Sequence, residues 1–75
     1  MEIKFSRRAK RRAKLYEISE EAIIESLRKM KLSIGEHEII KHVPNFKYPL
    51  KIVVTVEARL MTVVTNYPLK KGRPK

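Results

Sequence analysis

The chain has 75 residues, with 18 Lys and Arg against 8 Asp and Glu, a net charge of +10, and no cysteine. A length of this order makes one small domain that buries only about 60% of its unfolded surface, so a single domain is expected. Without cysteine there is neither a disulfide framework nor a thiolate metal site, and no apolar run approaches the roughly 18 to 20 residues of a membrane span.

Residues 2–5, Glu-Ile-Lys-Phe, alternate polar and apolar and predict a short edge strand. Ser6 is a suitable N-cap for the segment that follows, Arg-Arg-Ala-Lys-Arg-Arg-Ala-Lys-Leu-Tyr. On a helix, Ala9, Ala13 and Tyr16 form one narrow apolar stripe, and Arg7, Arg8, Lys10, Arg11, Arg12 and Lys14 cover the remaining circumference. Like charges at i and i+4 each cost a few tenths of a kcal/mol, roughly. A polyanion on the outer face would relieve that repulsion.

A second helix starts at Ile18-Ser19-Glu20-Glu21. Ser19 caps, the two glutamates sit at the positive end of the helix dipole, and Ile18 and Ile23 have the spacing of a hydrophobic staple. Ile23, Ile24, Leu27 and Met30 give its apolar face, and it runs to about Lys31. The period then changes from 3.6 to 2. Residues 34–43 read as a strand with an irregular start, and residues 44–49, with two prolines and an asparagine, as a loop.

The clearest strand covers residues 50–58, with Leu50, Ile52, Val54, Val56 and Ala58 on one face. A short connection leads to residues 60–67, again β-branched and alternating, so the two should form an antiparallel hairpin ended by Pro68. Residues 70–75 form a basic tail outside a single compact domain of residues 1–69. The expected architecture is α+β: a short N-terminal strand, two helices packed on one sheet face, then a three-stranded antiparallel meander.

The charge is unevenly placed. Residues 1–16 hold seven Lys and Arg against Glu2, a net +6; residues 70–75 add Lys70, Lys71, Arg73 and Lys75; residues 17–69 are balanced, seven against seven. A heat-adapted protein with a solvated charged surface would also lack Gln and Cys and abound in Lys, Arg, Glu and Ile. It would not segregate its excess charge to the two ends. If the ends meet in space they make one electropositive surface of the kind phosphate backbones bind.

Chemistry beyond binding has few candidates. His37 and His42 are five apart in a predicted strand, which sends them to opposite faces, and no nearby acid completes a metal set. With only Gly35 and Gly72 there is no phosphate-cradling glycine loop, and no Gly-x-Ser-x-Gly nucleophile motif. No cofactor or metal is therefore expected. A metal-free ribonuclease asks for less: proton transfer, assigned here to His42 or Tyr67, and cations for the phosphorane from Arg8, Arg12, Lys70 or Lys71. A polar strand residue and an aromatic at a sheet edge are the plainer readings of His42 and Tyr67. No aromatic-rich strand offers a stacking platform.

Phe5-Ser6-Arg7-Arg8-Ala9-Lys10-Arg11-Arg12, Ile18-Ser19-Glu20-Glu21-Ala22-Ile23 and Val63-Val64-Thr65-Asn66-Tyr67-Pro68 resemble the landmarks of the domain-of-unknown-function family numbered 4258. That family is similar in topology to the RelE and BrnT toxin-antitoxin ribonucleases, which cut RNA without metal and are held by an antitoxin. By position, Arg12 matches the motif arginine, and Thr65 and Tyr67 the closing strand. Arg8 stands where the family has histidine, which removes the obvious general base, and Tyr16-Glu17 replaces Arg-Gly. The resemblance implies a RelE-like fold, RNA as ligand and an antitoxin-like partner. A chain this short also admits a homodimer, and with no secretory signal following the basic N-terminus a cytoplasmic setting is expected. The alternative is a non-catalytic interaction protein whose basic helix receives an acidic partner.

Overall fold

In the computed structural model, which describes residues 2–42 and 47–69, the elements follow as β1 (Glu2–Phe5), α1 (Arg7–Leu15), α2 (Glu20–Arg28), β2 (Gly35–Lys41), β3 (Leu50–Val56) and β4 (Leu60–Pro68). The strands form one sheet in the order β1-β4-β3-β2. β2, β3 and β4 are the expected antiparallel meander. β1 adds a fourth strand, and it lies parallel to β4, with Phe5 beside Val63, so the sheet is mixed. The reason is the pair of helices between β1 and β2: they return the chain to the end where β1 began, so β1, β2 and β4 all run one way.

Ser6 closes β1 and opens α1. Its amide donates to the Val63 carbonyl at 2.9 Å, its hydroxyl donates to the Val64 carbonyl at 2.7 Å, and its Oγ accepts from the Ala9 amide at 3.0 Å. One side chain thus caps the helix and fastens it to β4. Ala9 and Ala13 are buried and Tyr16 half-buried, the stripe their spacing predicts; with only methyl groups at two of three positions the helix lies close on β4.

α1 ends in a Schellman motif: the Ile18 amide bonds the Ala13 carbonyl at 2.7 Å and the Glu17 amide the Lys14 carbonyl at 3.2 Å. The motif puts Glu17 in the left-handed region, at φ 57°, where glycine is the favoured residue. A side chain there costs on the order of 1 kcal/mol, and a carboxylate at a helix C-terminus opposes the dipole. Glu17→Gly is therefore expected to raise stability by up to about 1 kcal/mol, less the added entropy of the unfolded chain. A urea midpoint that falls in the variant would contradict the account.

Ser19 caps α2 through the Ala22 amide at 3.2 Å, and Ile18 and Ile23 are both buried as the staple requires. α2 stops at Arg28 with Lys29 as its C-cap, a turn before the predicted end. Ile23 and Leu27 join Ala9, Ala13, Ile39, Leu50, Ile52, Val54, Val56, Met61 and Val63 in one apolar cluster. Both helices therefore cover the same sheet face.

A β-bulge interrupts β4. Val53 pairs with Thr65 and Val54 with Val63, so Val64 has no opposite number and the alternation changes phase. Counted on from Met61 and Val63, strict alternation would send Thr65 and Tyr67 to the core. The bulge sends Asn66 there instead. Its side chain is fully buried and its Nδ2 donates to the Ala9 carbonyl at 3.4 Å. Thr65 and Tyr67 turn to the face the helices leave open.

A candidate nucleic-acid interface on the first helix and β4

With Ala9 and Ala13 turned to the core, Arg7, Arg8, Lys10, Arg11 and Lys14 are left exposed on α1. No acid occupies its first turn. Arg7, Arg8, Arg11 and Arg12, with Leu15 and Tyr16, line a shallow groove of about 560 Å³ on the outside of the helix. Four guanidiniums on one short helix repel each other, and an anion on this face would relieve the repulsion.

Arg12 differs from its neighbours. It is half-buried, and its guanidinium carbon stands 5.7 Å from the centroid of the Tyr67 ring, a cation–π contact. This contact joins α1 to the C-terminal end of β4. Lys70, Lys71 and Arg73 lie outside the described residues, as do Val43, the last residue of the predicted second strand, and part of the loop after it.

Lys51 is the residue that sequence reasoning did not single out. It is the cross-strand partner of Tyr67, and its Nζ lies 3.2 Å from Glu38 Oε1. The hydrogen bond that Lys51 donates to Glu38, then that carboxylate's charge, then Tyr67, hold the Lys51 ammonium above its ordinary pKa; it is a fixed cation at neutral pH. Its position on the strand was legible from the period-2 pattern. What it faces was not, because Tyr67 reaches that face only through the bulge.

The two proposed proton-transfer residues are not brought together. Tyr67 stands beside Lys51 with Arg12 over its ring, whereas exposed His42, just past the end of β2, lines a recess with Ala22, Glu25, Ser26 and Lys29 of the α2 region. Strand β3 separates β2 from β4. His37, with its Nε2 2.7 Å from the Ser33 carbonyl, is tied to the turn that begins β2.

The site is thus a cationic surface on an α+β frame, with the Tyr67 ring at its edge. No family model, curated protein or solved structure matches the chain.

Proposed function

We propose that the chain binds RNA, with the outer face of α1 gripping the phosphate backbone. Arg7, Arg8, Lys10, Arg11, Arg12 and Lys14 make the contacts, and the tail cations Lys70, Lys71 and Arg73 add to the positive charge that attracts the strand. The observation that carries this reading is the burial of Ala9 and Ala13, which turns the basic residues of α1 outward together. RNA rather than DNA follows from the resemblance to the RelE and BrnT group carried by the sequence motifs.

Such binding releases counterions. Five neutralised phosphates give a log–log salt slope near −4, roughly. A fluorescence titration of a labelled RNA oligonucleotide across a series of salt concentrations reads it directly, and binding indifferent to salt would end the proposal. The same RNA, sized after incubation in EDTA, tests cleavage. Products that disappear in Tyr67→Phe or His42→Ala would add a metal-independent endoribonuclease activity, and intact RNA leaves a binding protein.

One observation favours a second reading, an acidic protein partner of antitoxin type. Leu15 is 69% exposed and shares the groove with Arg7, Arg8 and Arg11. An apolar anchor ringed by guanidiniums suits an acidic amphipathic segment better than a bare phosphate strand. Leu15→Ser separates the two: it removes a protein's anchor and leaves the phosphate contacts in place.

A further inference from the structure

The sheet face away from the helices carries a row of groups that shares only Arg12 with the helical grip. Along β3, Leu50, Ile52, Val54 and Val56 are buried and Lys51, Val53 and Thr55 only half-buried. Ile40, opposite Lys51 on β2, is 63% exposed. Lys51 and Tyr67 face each other across β3 and β4, and Arg12 reaches over from α1 to lie against the Tyr67 ring.

Each member of this row has a complementary group in an unpaired nucleotide. A phenol ring and a planar guanidinium both stack on a base, whatever its identity. A lysine ammonium takes a phosphate as a point charge. Bases inside a duplex are already stacked on each other and cannot reach such a seat, so the row discriminates by strandedness. Glu38 is the counter-element. It occupies the Lys51 ammonium in the free protein, and an incoming phosphate must displace it.

We infer that Tyr67 and Arg12 form a stacking seat for one unpaired base and that Lys51 takes the adjoining phosphate, so that the open face selects single-stranded nucleic acid. This rests on the nucleic-acid reading of α1 and adds the strand class to it. It also reverses the expectation that no stacking platform exists: one ring suffices once a bulge aims it outward.

The test measures affinity of the full chain for a labelled single-stranded RNA and for a hairpin duplex, at one salt concentration. Tyr67→Leu is expected to cut the preference for the single strand roughly ten- to hundredfold. Tyr67→Phe keeps the ring and is expected to recover most of it. Lys51→Ala should reduce the single-strand salt slope by about 0.7, the share of one phosphate. Glu38→Gln should tighten single-strand binding a few-fold, because Lys51 is then free before the ligand arrives. Circular dichroism checks the fold of each variant; should Tyr67→Leu unfold, the Lys51 and Glu38 variants decide. Equal losses for single strand and duplex in Tyr67→Leu, or weaker binding in Glu38→Gln, would overturn the seat. Retained salt-dependent RNA binding with no effect at Tyr67 would sink this inference alone, and loss of all salt dependence would take the α1 reading with it.

Discussion

Arg11→Glu combined with Arg12→Glu is expected to weaken RNA binding at 0.1 M salt, a chosen assay condition, by about a hundredfold or more. Each phosphate contact is worth roughly 1 kcal/mol in released counterions at that salt; two are lost, and two carboxylates now repel the strand. The log–log salt slope should fall by about 1.5 to 2 at the same time. Arg11 is exposed and Arg12 half-buried, so the first reports on charge alone while the second also gives up its hold on Tyr67. The control is Arg28→Glu with Lys29→Glu at the end of α2, which makes the same change in net charge away from the α1 groove. A smaller loss there locates the interface on α1. An equal loss would mean that net charge, rather than this helix face, attracts the ligand.

Leu27→Ala should strongly damage the fold. Leu27 is 1% exposed and, with Ile23, anchors α2 to the sheet. Truncating a buried leucine costs about 2 to 5 kcal/mol through lost transfer energy and the cavity left behind. A domain of this size is stable by only about 4 to 11 kcal/mol, so one variant removes a large part of the total. The melting temperature is expected to drop by roughly 13 to 32 °C, followed by circular dichroism. A drop of a degree or two would mean that α2 contributes little to the core and that the sheet is stabilised elsewhere.

Much of this frame was legible in the residues. The β-branched period-2 run gave β3 with its buried face, because Leu50, Ile52, Val54 and Val56 can leave water only if the strand shows one side to a helix layer. Ser6 and Ser19 announced both helix starts. The end of α1 was located only by the start of the next helix, since Glu17 holds a position where glycine would have marked the turn. The parallel placement of β1 depends on where two helices carry the chain, and four residues have no period that records it.

The face of Tyr67 was the costliest gap. A bulge is one extra residue in a ladder, and Val63-Val64 reads like any pair of strand valines. Nothing local distinguishes the residue that will be left unopposed. The phase change shows only in the aftermath, where a polar Asn66 falls on the core side. That misplaced amide was the available signal that Tyr67 shares a face with Lys51.

β1 pairs with the start of β4, and Ser6 is bonded to Val63 and Val64 across most of the chain's length. During synthesis the first strand therefore leaves the ribosome long before β4, the strand it pairs with, exists, and the arginine-rich helix beside it travels undocked. Until the last hairpin is translated, that cationic segment is free within a cell full of anionic polymers. Native closure waits for the final few codons of the sheet.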